Sequence, residues 1–339
     1  RRCPAGGGRD APGGGAGQVN VHEELIQRCA ARRRKALGDL SDQGFAELLL
    51  AVRENPSAFV DSPAEEAYVE LERAFSAYDA SLNNDDLLED DEYQKARQKR
   101  LANLQAGCAR ALALDEKCLD AQLVGTLAAD LDPDSLLEQL LSLHDGTDAA
   151  SDAPAGYDLW ADVFSRPKLR LEAAISRTLL DGARYRLAAQ ACERVIAVAP
   201  TDELGCRHTE AIALARLEDE EGFDQLDARF GRHDNAWTSL SRCVLMYKLG
   251  RMSAARRALA GFDRLCQGGS YALMRPVFVE VYLPDRPPVA VNSLEEATLA
   301  VHEMEPTIAD VPDFINWAAA QPGISASAEA FAQRNDLDW

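Results

Sequence analysis

Residues 184–200 read RYRLAAQACERVIAVAP, and their spacing decides the fold. Leu187, Ala188, Ala191, Val195 and Val198 recur at the intervals of one apolar helix face. Pro200 closes the segment, because it has no N–H with which to continue the helical ladder. A second helical pattern, 168–181, precedes it. Downstream come 202–217, with Leu204, His208, Ala211, Ile212 and Ala215 on one face, and then 220–231. Two further patterns follow at 235–249 (Trp237, Leu240, Val244) and 252–266. The six segments pair in order, and Ala255 stands 67 residues beyond Ala188, again after a Leu249-Gly250 turn. Small residues at Ala188, Ala191, Ala211, Ala255 and Ala258 allow the close helix approach that stacked hairpins need.

The flanks are helical as well. Patterns run over 22–37 and 42–53, and Ser62-Pro63-Ala64-Glu65 is a helix start, with Ser as cap, Pro in the first turn and Glu reaching back. That helix extends to about 82. Residues 83–92 (NNDDLLEDDE) hold six acids and no base, and read as a solvated connection into a long helix ending at 114. They lack the glycine and ligand spacing of a calcium loop. Asp132-Pro133 opens another helix to 143, and 144–156 is a polar loop. Val277, Val279 and Val281 alternate, but a solitary strand has no partner, so a buried helix over 271–281 is expected ahead of the proline-rich 284–288. Ser293 and Glu296 form a second capping box, for a helix to 305. A helix over 312–321 carries Phe314 and Trp317, and 325–335 forms a short, loosely held one. The expected organisation is a disordered Gly/Pro-rich tail (1–18), a helical region (19–143), a loop (144–156), helix pairs (157–266), a helical cap (267–323) and a tail (324–339).

The chain has 339 residues and a net charge of −20, which argues against general nucleic-acid binding. The charge is uneven: residues 160–260 hold 16 Lys/Arg against 14 Asp/Glu, so the rest carries about −22. None of the eight cysteines lies in a C-x-x-C, and most sit in helical patterns, which favours reduced, buried thiols and a cytoplasmic protein. No apolar run is long enough to span a membrane, and no signal peptide follows Arg1-Arg2. The missing initiator Met suggests that the chain starts inside a longer product.

Residues 157–321 resemble a family of bacterial tetratricopeptide-like proteins, distantly similar to the eukaryotic suppression-of-tumorigenicity family. The resemblance rests on Trp160 with Ser165-Arg166-Pro167 and Arg170, and on Ala199-Pro200-Thr201-Asp202 with Gly205 and Arg207. Ala236-Trp237 and the run Ser293-Leu294-Glu295-Glu296-Ala297 ahead of Trp317 complete it. Tyr185, Ala188 and Pro200 stand where a tetratricopeptide repeat places its aromatic, its small packing residue and its closing proline. Lys168 departs from the aromatic usual after the proline-bounded stretch, and 267–292 is reduced. The resemblance implies an all-α fold, a tetratricopeptide-like α-α superhelix, and brings no catalytic residues.

The expected function is therefore non-enzymatic: a scaffold for a protein or peptide partner, favouring acidic or carboxylate-bearing segments. Arg166, Arg170 and Arg207 are the candidate binding residues, because a guanidinium fork grips a carboxylate with two parallel bonds. Their structural alternative is to tie hairpins together through Asp202 or Glu203. Trp160 and Trp237 are candidate groove anchors, with core wedges as the alternative. His208, on an apolar face, reads as a core histidine. No cofactor or metal is expected: there is no P-loop, nucleophile elbow, dinucleotide fingerprint or histidine ligand pair.

Two other readings compete. One is a small-molecule sensor or enzyme with a pocket at the Trp160/Arg166/Arg170 corner. The other is a transcriptional regulator whose basic run Arg32-Arg33-Arg34-Lys35 opens a DNA-binding helix, although Asn55-Pro56 breaks the helix that would read bases. The structural alternative for that run is a basic helix face docked on the acidic stretch near 85–92.

Overall fold

A computed structural model describes residues 21–38, 40–82, 85, 88–147, 156–232 and 235–339. The expected disordered tail, Cys3, His233 and most of the 144–156 loop and of the 83–87 stretch lie outside the described residues. Among the described residues the protein is all-α, with no strand. The chain forms two compact units, one from the described part of residues 5–171 with 281–287, the other from 172–280 with 288–339.

The N-terminal unit contains α1 (Val21–Leu37), α2 (Asp42–Glu54), α3 (Pro63–Ala80), α4 (Asp90–Leu114), α5 (Leu119–Leu127), α6 (Pro133–Asp145) and the first turns of α7 (Arg166–Asp181). Helix α1 packs on α2 and α3, and α3 on α4, α4 on α5 and α5 on α6 follow in order, α3 on α4 most extensively. The core is built from apolar residues of helical spacing, including Leu25, Ile26, Leu71, Leu104, Leu123 and Leu140, all fully buried. The capping box at Ser62 is present: Glu65 N–H donates to Ser62 Oγ (3.4 Å), and Asp61 N–H donates back to Glu65 Oε2 (3.3 Å). Asp132 accepts from the amides of Asp134 and Ser135, both at 3.1 Å, to start α6.

The second unit holds the remainder of α7, then α8 (Tyr185–Val198), α9 (Cys206–Leu217), α10 (Glu220–Arg229), α11 (Ala236–Lys248), α12 (Met252–Leu265), α13 (Gly269–Met274), α14 (Leu294–Ala309), α15 (Phe314–Ala319) and α16 (Ile324–Arg334). Helix α9 packs against α8, α10 and α11, while α11 packs against α12 and α14. Ile196, Ile212, Phe223, Phe262 and Phe314 fill its core.

Two boundaries and the packing of the last helix differ from expectation. Helix α9 begins at Cys206 rather than 202, because Asp202 and Gly205 adopt the left-handed conformation (φ 54° and 64°). Asp202 instead caps the helix, its carboxylate accepting from Cys206 N–H (2.7 Å) and Arg207 N–H (3.2 Å). The helix expected over 271–281 stops at Met274, since Pro276 disfavours helical geometry at Arg275, and the chain is irregular to 290. The closing helix is not loosely held. Ile324, Ala328, Phe331 and Ala332 of α16 are buried at helical spacing, and α16 packs on α13.

Candidate functional site

Three of the five residues singled out in the sequence meet in the N-terminal unit. Trp160 sits in a 3-10 turn (Leu159–Ala161) just ahead of α7, and the guanidiniums of Arg166 and Arg170 lie 5.2 and 5.3 Å from its ring centroid. Arg170 is only 2% exposed and reaches three carboxylates: Glu24 of α1 (2.5 Å), Asp120 of α5 (3.4 Å) and Asp285 of the 281–287 segment (3.4 Å). Arg28 of α1 adds Glu24 (3.0 Å) and Asp120 (3.7 Å), and lies 3.9 Å from the Tyr68 ring centroid. Tyr68 donates its hydroxyl to Asp120. Arg166 donates through Nε to the Trp160 carbonyl (2.9 Å) and stands 4.0 Å from Glu24.

Three guanidiniums thus face three carboxylates, away from water. Burial raises the Glu24 pKa, but Arg170 and Arg28 outweigh it and hold it below the usual value. Asp120 is served at longer range by Arg170. Its burial, helped by Glu24 and Asp285, pushes its pKa up to about 6 against the pull of Arg170 and Arg28. Burial opposes the Arg170 charge, but Asp120, Asp285 and Glu24 more than restore it. The anions that Arg166 and Arg170 hold here are the chain's own. A charge-balanced cluster of this kind ties helices together.

Arg207 and Trp237 belong to the other unit. Arg207 Nε lies 3.6 Å from Asp202 Oδ2, one of the hairpin ties weighed in the sequence, and its guanidinium is 5.0 Å from the Phe230 ring centroid. Trp237 is 5% exposed and stacks on His208 with ring centroids 4.3 Å apart, a wedge in the core. The basic run of α1 also finds partners within the chain. Arg32 pairs with Glu65 (3.0 Å) and Arg33 with Asp61 (2.9 Å), rather than with the acidic stretch near 85–92. Asp85 instead receives Arg100, at 2.6 Å to each oxygen.

The open feature of the second unit was not foreseen. Helices α8, α9 and α10 border a cleft of about 550 Å³, within the range of ligand pockets. Each contributes a stripe at i, i+4, i+7 or the like: Arg186, Gln190 and Glu193 from α8, then Glu210, Leu214 and Leu217 from α9. Gln225, Leu226 and Arg229 line the α10 side. Two helical turns of lining give a trough roughly 10 Å long. Among the described residues, Arg186, Gln190, Glu193 and Glu210 make no ion pair or side-chain hydrogen bond, and Glu210 Oε2 is buried without a partner. Arg229 donates to the Ile196 carbonyl (3.1 Å). Burial, with Glu193 and Asp202 adding and Arg229 opposing, pushes the Glu210 pKa up to about 7. The sequence signal was the odd polar position in each stripe, which looks like any solvated helix face until three helices converge.

Among the described residues, no group of three or more His, Cys, Asp or Glu is placed to hold a metal ion, and no helix is long and apolar enough to cross a membrane. Comparison with known proteins finds no match: no family model fits the chain, and no curated protein or solved structure is significantly similar to it.

Proposed function

We propose that the protein is a non-enzymatic helical repeat scaffold that binds a segment of a partner protein, and that residues 172–280 form a degenerate tetratricopeptide-like superhelix. One observation carries the reading: successive helix pairs leave an open, polar cleft in which Arg186, Glu193 and Glu210 form no ion pair or side-chain hydrogen bond among the described residues. The order of packing supports the repeat, since the first helices of consecutive pairs adjoin, α9 on α11, and α14 of the C-terminal cap packs on α11 in turn. A binding surface built from stacked hairpins is the usual product of such a repeat. The arginines first expected to meet an acidic partner are engaged internally, so the cleft replaces them as the binding element. The corner at Trp160, proposed in the alternative as a sensor or enzyme pocket, is read as a structural tie because its charges answer one another. The seven buried free thiols fit a reducing compartment such as the cytoplasm.

The test is crosslinking capture from the native host with the full chain as bait. A partner enriched over a bait with Ala189→Trp, which fills the cleft, is the expected result. Nothing above background with the unaltered bait would overturn the scaffold reading.

A further inference from the structure

The cleft carries a more specific statement about its occupant. Its lining includes Glu210 of α9, whose Oε2 is buried, and Glu193 of α8. In the N-terminal unit, Glu24, Asp120 and Asp285 share Arg170 in direct ion pairs. Here Arg229 opposes the Glu210 shift from a distance, but Glu193 outweighs it. Arg229 lies on the α10 side, but its Nη2 donates to the Ile196 carbonyl and it forms no ion pair with either acid. Arg186 lines the same cleft from one end of the α8 stripe, and is exposed.

The remaining lining suits a stem with apolar length behind a charged tip. Ala189, Leu214, Leu217 and Leu226 provide apolar contact beside the carboxylates, and Gln190 adds an exposed amide group that can serve a peptide backbone. We infer that the α8–α10 cleft receives a lysine side chain from a partner protein, its ammonium held between Glu193 and Glu210 and its methylenes lying along Leu214 and Leu226. The inference rests on the scaffold reading and names the chemistry of its partner.

The electrostatics agree. At Glu210, Glu193 acts more strongly than Arg229, and Asp202 acts in the same sense as Glu193, so the field of these three charges favours an incoming cation. Asp219 at the start of α10 adds to that sign, and Arg186 opposes it from the solvent side. Because Glu210 titrates at about 7, the ammonium meets a mostly neutral acid below that pH and a carboxylate above it.

The experiment titrates the isotope-labelled full chain with acetyl-Leu-Lys-Leu-amide, followed by NMR, with norleucine or glutamate in place of lysine as controls. The lysine peptide should move the amide signals of Gln190, Glu193, Glu210 and Gln225, while the controls bind at least roughly tenfold more weakly. Its affinity should rise roughly tenfold from about pH 6 to about pH 8, as Glu210 ionises. Glu193→Gln and Glu210→Gln should each weaken it. Glu193 is exposed, so its variant does not threaten the fold. Glu210→Gln should raise the thermal midpoint above about pH 7, where the buried charge is costly, and lose that gain by about pH 5, which separates lost binding from lost structure. Equal binding of the norleucine or glutamate peptide, or unmoved cleft amides, would sink the inference. If crosslinking still captures a partner that Ala189→Trp releases, the scaffold stands and only the lysine chemistry fails.

Discussion

Arg170 shows how much one side chain can hold. It is 2% exposed, and its three nitrogens reach Glu24, Asp120 and Asp285, from α1, α5 and the 281–287 segment. Arg170→Met keeps the length and removes the charge, leaving the buried Glu24 and Asp120 to Arg28 and Arg166 and taking its guanidinium from the half-buried Asp285. Breaking a buried pair from one side typically costs about 3–5 kcal/mol, far more than the net worth of the pair, because the orphaned charges remain out of water. Urea unfolding should show a loss of that order. A loss below about 1 kcal/mol would mean that the cluster relaxes into solvent and does not act as a tie. Arg170→Lys should recover little, since a single ammonium cannot fork between three acceptors.

The α3–α4 crossing in the N-terminal unit depends on an absent methyl group. Gly107 of α4 faces Ala74 of α3, and a Cβ at 107 would collide with the Ala74 methyl. Gly107→Ala gains about 1 kcal/mol of helix propensity but forces the most extensively packed pair of this unit apart, at about 1–3 kcal/mol. The expected outcome is net destabilisation in urea, largely reversed by adding Ala74→Gly, which moves the methyl to the other helix. Gly125 of α5 is the control. Its nearest neighbour would be Cys108 Cβ at 3.5 Å, an ordinary contact, so Gly125→Ala should be neutral or stabilising. Stability that rose with Gly107→Ala would contradict the packing argument. Helix starts and stops were largely readable from sequence, because a cap acts within four residues: Ser62, Asp132 and Ser293 each hold the amide expected of them. Asp202 misled for the same reason. A capping residue and a first-turn residue look alike until the left-handed backbone at Asp202 and Gly205 separates them.

Across the whole molecule, the described thiols tell one story. Cys29, Cys108, Cys118, Cys192, Cys206, Cys243 and Cys266 are free and buried, and they fall in both units. Burial pushes the Cys29, Cys108 and Cys266 pKa values up to about 12, so little thiolate exists at neutral pH. A thiol-specific chromogenic reagent should therefore find no more than one of the eight cysteines in the native chain and all eight after unfolding. Several thiols reacting fast under native conditions would show that the helices open more readily than their packing implies.

The amino-acid sequence by itself determined the all-helical class, the order of most helices, their caps and the buried cysteines. Each of these follows from interactions spanning a few residues: the 3.6-residue period, a side-chain cap, a proline without an N–H. It could not tell a solvated arginine from a tying one. Arg170 and its partners stand 146, 50 and 115 residues apart, and only folding brings Glu24, Asp120 and Asp285 to its guanidinium. The same holds in reverse for the cleft. Gln190, Glu193 and Glu210 look like ordinary polar positions, yet tertiary packing sets them around one cavity, with neither acid in an ion pair among the described residues. Charge pairing acts through space, so the fold, not the sequence pattern, decides which charges remain for a partner.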